Sequence, residues 1–140
     1  MSFIDSVKYI ERFAVTDEFG GRGKSKKISC FYIVLRVTDE SGEPIEITFG
    51  DIEDAVRNEQ LVLTDYVGFT DIPLGLADDS LFKVTNAKYY KENNFIYVKP
   101  VKYKGDISVC VKIQGKKDGD LIASTCYLSD FPSTFYLSRS

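Results

Sequence analysis

Residues 20–27 read GGRGKSKK, and Gly23-Lys24-Ser25 forms the closing part of a phosphate-binding loop. Such a loop also needs a glycine at the position Glu18 holds, where a carboxylate would repel the ligand. It must then open a helix whose N-terminus meets the phosphates. Here the segment that follows is KKISCFYIVLRV, rich in β-branched and aromatic residues, so the glycines lie between two strands. Nucleotide hydrolysis at this stretch is therefore not expected. A glycine-rich hairpin tip is, with Arg22, Lys24, Lys26 and Lys27 forming a basic finger that can meet an anionic partner or simply stay solvated.

Other chemistry is sparse. The chain has no histidine, which removes the commonest general base, the Ser-His and Cys-His pairs and histidine metal sites. Cys30, Cys110 and Cys126 are far apart, odd in number and set in apolar runs. They read as free thiols acting as small hydrophobes in a reducing compartment, not as zinc ligands. Asp78-Asp79 and the Asp118/Asp120 pair lack calcium-loop spacing. No catalytic residue, metal site or cofactor is expected, and the chain does not read as an enzyme.

Two charged regions stand out against a net charge of −3. From Asp39 to Asp54 there are seven carboxylates and no Lys or Arg. Glu43, Glu46, Asp51, Glu53 and Asp54 are its candidate contacts with a basic partner, although acidic turns and helix starts are more often just solvated. From Lys83 to Lys117 lysine dominates, opposed only by Glu92 and Asp106. Within this region AKYYKENNFIYVKPVKYKG (87–105) interleaves lysines with tyrosines and a phenylalanine. Rings for stacking on bases and cations for phosphates are the parts of a single-strand binder, with Lys88, Tyr90, Lys102 and Lys104 as its candidate contacts. Parity tempers that reading: it places Phe95, Tyr97, Val101 and Tyr103 on one face, expected to be core, and Lys102 and Lys104 on the other.

The elements that must position these groups are mostly strands. Residues 6–15 alternate, with Val7, Tyr9, Phe13 and Val15 on one side, while CFYIVLRV (30–37) is apolar on both parities and suits a central strand. The helix is expected over about residues 49–58, capped by Thr48 with Asp51 completing a capping box, burying Ile52, Ala55 and Val56 and stopping at Asn58. TDIPLGLADDS (70–80) carries Pro73 and Gly75 and reads as a loop. A meander follows, with strands near 81–90, 95–103, 106–114 and 121–128, and a last edge strand after Pro132.

The expectation is an α+β fold, mainly β, with antiparallel strands in a meander and one short helix. Residues 1–140 are read as a single domain, with halves 1–69 and 81–140 joined by the loop at 70–80. Hydrophobic and charged fractions of 44% and 28% match a globular chain. The start lacks a signal-peptide pattern and no apolar stretch approaches about 18 residues, so a cytoplasmic setting without membrane contact is expected.

The function expected is a small non-catalytic binding protein that occupies a surface or sequesters a ligand. Its make-up is that of phage or mobile-element accessory and inhibitory proteins, and a protein is the expected partner. Pairing of the basic finger with the acidic segment would give a homo-oligomer. The alternatives are a single-stranded nucleic-acid binder and a binder of a small anionic ligand between the halves.

Overall fold

The computed structural model describes residues 9–16, 27–28, 30–65, 68, 70–103, 107–114, 121–124 and 133–137. The fold is α+β and mainly β, as the alternating sequence implies. Its strands are β1 (Tyr9–Thr16), β2 (Lys27–Ile28), β3 (Phe31–Thr38), β4 (Leu61–Asp65) and β5 (Thr70–Gly75). They continue with β6 (Phe82–Tyr90), β7 (Asn93–Pro100), β8 (Ile107–Gln114), β9 (Leu121–Ser124) and β10 (Ser133–Leu137). One helix, α1 (Phe49–Arg57), lies between β3 and β4.

Pairing runs β1-β3-β7-β6-β5-β4-β8-β10-β2, with β9 added to β8. All pairs are antiparallel except β5 with β6 and β10 with β2. The first seven strands of that path curl until β1 comes beside β8, which makes the sheet nearly a barrel. Its interior is one apolar cluster. Phe31, Ile33, Leu35 and Val37 of β3 point into it, as do Ile96 and Val98 of β7, Leu61 and Leu63 of β4, and Val109 and Val111 of β8. Phe31 meets Phe82 edge-on, ring centroids 5.7 Å apart, a geometry that adds about 0.5–1.5 kcal/mol beyond area burial.

Helix α1 packs its Ile52, Ala55 and Val56 into the same cluster. Its start is set by the expected capping box. The Asp51 N–H donates to Thr48 Oγ1 at 3.2 Å, and the Thr48 N–H donates to Asp51 Oδ2 at 3.3 Å. Its end is a Schellman turn: the Gln60 N–H donates to the Ala55 carbonyl at 2.8 Å and the Glu59 N–H to Val56 at 3.1 Å. Glu59 therefore takes φ 54°, a left-handed conformation that glycine usually fills.

Three expectations need correction. Residues 70–75 are a strand: β5 pairs with β4 along Thr70–Pro73 and with β6 at Leu74 and Gly75, so the stretch expected as a loop joins neighbouring strands. Pro73 fits because only β4 pairs at that point, leaving no second ladder in need of its missing N–H. Gly75 is required by close approach, since a Cβ there would run into the Ser80 side chain. The second correction concerns cysteine. Cys30 is free, but Cys110, fully buried on β8, is disulfide-bonded. Cysteine usage therefore no longer points to a reducing compartment. The third correction is the facing of β7, which decides the site.

Candidate nucleic-acid interface

Both parities of NNFIYVKP are apolar, and the ladder shows which one the core takes. On β7 the inward residues are Asn94, Ile96 and Val98, all at most 1% exposed. Phe95 and Tyr97, expected in the core, stand on the outer face with Lys99. The reason lies in Asn94. Its Oδ1 accepts from the Ile47 N–H at 2.7 Å, and its Nδ2 donates to the Leu35 and Ile45 carbonyls, each at 3.0 Å. An inward amide that ties the stretch before α1 to β3 and β7 fixes the register, and the rings then face out. Val101, also expected in the core, is exposed just beyond the strand.

The neighbouring strands extend this outer face. Register sets Tyr32 of β3 beside Tyr97, and Val34 beside Phe95. On the other side Lys88 of β6 lies beside Phe95, Asn86 beside Tyr97, and Lys83 beside Lys99. The Tyr32 and Tyr97 rings pack 4.4 Å apart at 33°. Tyr90, 51% exposed, ends the face next to the turn, with Lys88 Nζ and Lys91 Nζ each 5.4 Å from its ring centroid. Openness varies across the face, and Arg12 of β1, opposite Arg36, is exposed. Thr16 and Val34 are buried, Tyr32, Phe95 and Tyr97 are half-buried, and Asn86, Lys88 and Tyr90 are exposed.

Charge on this face is lopsided. Lys88 and Lys99 of this face, Lys91 in the β6–β7 turn and Lys102 beyond β7 are all exposed and, among the described residues, have no carboxylate within ion-pair distance. Lys83 donates to Asp78 Oδ1 at 2.7 Å, and that ammonium holds the Asp78 carboxyl below its ordinary range. Arg36 of β3 donates through Nε to Glu11 at 2.7 Å and through Nη1 to Glu92 at 2.6 Å. These two hydrogen bonds raise the Arg36 pKa further, so it stays a cation throughout. Tyr103, by contrast, lies on the core side as expected: it packs on the buried Phe82 at 4.9 Å, and burial, then the charge of Asp65, push its hydroxyl pKa up.

Of the residues expected to bind nucleic acid, Lys88 and Tyr90 share the outer face of β6, Lys102 follows β7, and Lys104 lies outside the described residues. Sequence reasoning missed Tyr32, Phe95, Tyr97 and Lys99. Lys99 was the available signal: it shares parity with Phe95 and Tyr97, and a lysine does not face a core unpaired.

Among the described residues the other candidates are not gathered into a site. Arg22, Lys24 and Lys26 lie outside the described residues. Lys27 is in β2, which pairs with β10, so the connection from β1 to β3 carries a strand of its own. In the acidic segment Asp51 serves the helix cap, while Glu53 and Asp54 each approach Arg57 at 3.5 Å. Glu43 and Glu46 are exposed and, among the described residues, make no ion pair. No three His, Cys, Asp or Glu side chains converge among the described residues to hold a metal ion. No helix among them is long and apolar enough to cross a membrane.

Comparison of the chain with protein-family models, curated proteins and solved structures finds no match.

Proposed function

We propose that this is a non-catalytic binding protein whose ligand is a single-stranded nucleic acid, received on the outer face of β3, β7 and β6. The observation that carries the reading is the outward placement of Phe95 and Tyr97 between Tyr32 of β3 and Lys88 of β6. Bases present a π-face whatever their identity, so rings partly open to solvent can stack on them with little sequence preference. Lys88, Lys91, Lys99 and Lys102 supply the charge that tracks the phosphates, and the mild net charge of the whole chain is no obstacle because the field is local.

The deciding measurement is fluorescence anisotropy with a labelled oligothymidylate across a salt series. Binding that weakens steeply with salt, and that falls on Tyr97→Ala and on Lys88→Gln, supports the reading. No binding at low salt sinks it. A protein partner on the acidic segment is the second reading, favoured by the exposed and unpaired Glu43 and Glu46. It predicts instead a complex that survives Tyr97→Ala and is lost on Glu43→Lys with Glu46→Lys. An inhibitory role or self-association through that segment would follow from this second reading alone.

A further inference from the structure

Arg36 joins three separate parts of the chain. Its guanidinium holds Glu11 from β1 and Glu92 from the turn between β6 and β7, with Oε2 atoms at 2.7 and 2.6 Å. Both carboxylates are about half exposed, at 47% and 56%, while the Arg36 side chain is 27% exposed. Exposed pairs of this sort exchange readily with other partners. A phosphodiester offers a guanidinium two non-bridging oxygens that share one negative charge, acceptors for the same N–H groups that here reach one oxygen of each glutamate.

The turn itself is an outlier. Lys91 and Glu92 fill the two central positions of a tight hairpin at φ 49° and 66°, where asparagine and glycine would be relaxed. Strain of this kind persists where surrounding contacts hold it in place. Here the contacts are the Glu92–Arg36 pair, the Asn93 Nδ2 donation to the Lys91 carbonyl at 3.0 Å, and Lys91 over the Tyr90 ring. A glycine would relax the backbone but would remove the carboxylate that reaches Arg36.

We propose that Glu11 and Glu92 occupy Arg36 as an internal stand-in for a phosphodiester, and that a backbone phosphate of the single strand displaces them. The contact is autoinhibitory: it lowers resting affinity for polyanions and couples ligand binding to release of the β6–β7 turn. This inference rests on the nucleic-acid reading of the same face.

The test is a double-mutant cycle read by anisotropy with labelled oligothymidylate. Glu11→Gln with Glu92→Gln keeps side-chain size and surface polarity, and thermal melting checks that each variant is folded. The pair is expected to tighten binding at least about threefold and to steepen the salt slope by about 0.7, one further phosphate contact. In an Arg36→Gln background the same pair should change affinity by less than about twofold. Equal tightening in both backgrounds would mean a general effect of removing negative charge and would overturn the inference, as would no tightening in either. If Tyr97→Ala abolishes binding while the cycle shows no coupling, the internal contact is refuted and the nucleic-acid face stands. If neither the wild type nor the Glu11→Gln, Glu92→Gln variant binds, both fall. Binding by that variant alone would support the internal contact strongly.

Discussion

The two faces of β7 are built from one eight-residue stretch yet do opposite work. Inward, Asn94, Ile96 and Val98 are sealed, and the single polar side chain among them is bonded entirely to backbone groups. Outward, Phe95, Tyr97 and Lys99 are at least partly open, and they meet rings and cations from β3 and β6. Apolar character therefore does not tell the faces apart. Satisfaction of polar groups does: the inner amide is fully bonded within the fold, while Lys88 and Lys99 have no ion-pair partner among the described residues. Substitutions inside should change stability and leave intrinsic affinity alone, and substitutions outside should do the reverse.

The largest effect expected is at Asn94. Asn94→Leu keeps the branched shape but abandons the Ile47 N–H and the Leu35 and Ile45 carbonyls in a dry interior. Each unsatisfied group costs about 1–3 kcal/mol, so a loss of about 3–5 kcal/mol is expected in urea denaturation. The fraction that stays folded should bind oligothymidylate as the wild type does. Weaker binding by fully folded Asn94→Leu would break the separation of the two faces.

Next in size is Tyr97→Ala. Stacking on an aromatic side chain contributes about 1–3 kcal/mol per base, a loss of roughly 5- to 150-fold in affinity. Unfolding should move much less, because Tyr97 is half-buried and leaves no polar group stranded in the core. A stability loss matching that of Asn94→Leu, with affinity intact, would show that Tyr97 is a core residue after all.

Asn94 and Tyr97 also mark how far the sequence could be read. The period-two alternation, the capping box at Thr48 and Asp51, the stripe of Ile52, Ala55 and Val56 and the stop at Asn58 were all legible, because local geometry and local hydrogen bonds decide them. The facing of β7 was not. Both parities are apolar, and the bonds that break the tie reach from Asn94 to residues 47 and 59 positions away. The strand at 70–75 was hidden for a related reason. Pro73 and Gly75 read as breakers, yet Pro73 sits where only one neighbour pairs and Gly75 sits where Ser80 leaves no room for a Cβ. The placement of β7 between β3 and β6 is likewise set by contacts distant in sequence.

A smaller effect separates charge from stacking on the outer face. Lys88→Gln and Lys99→Gln should each flatten the salt dependence of binding, lowering the slope of log affinity against log salt by about 0.7 for each phosphate no longer neutralised. Their effect should be uniform across oligonucleotides of different sequence, since phosphates carry no sequence. Stability should change by no more than about 0.5 kcal/mol, as expected of surface substitutions away from special features. Lys112→Gln is the comparison that sharpens this: Lys112 is on β8 and is already held by Asp71 at 2.8 Å, so its replacement should leave the slope unchanged.

The smallest effect turns on two glutamates with the same backbone and different surroundings. Glu59 ends α1 at φ 54°, and Glu92 sits in the β6–β7 turn at φ 66°. Glycine relieves the left-handed conformation at either place, offset in part by the freedom it adds to the unfolded chain, so each substitution should stabilise the fold by less than about 1 kcal/mol. The binding outcome should differ. Glu59→Gly leaves the outer face as it was, and its affinity should match the wild type. Glu92→Gly also takes one carboxylate away from Arg36, so it should bind oligothymidylate more tightly while melting at a similar or higher temperature. Unchanged affinity in both variants would make Glu92 an ordinary turn residue, and Arg36 would then be a structural tie between β1, β3 and the turn.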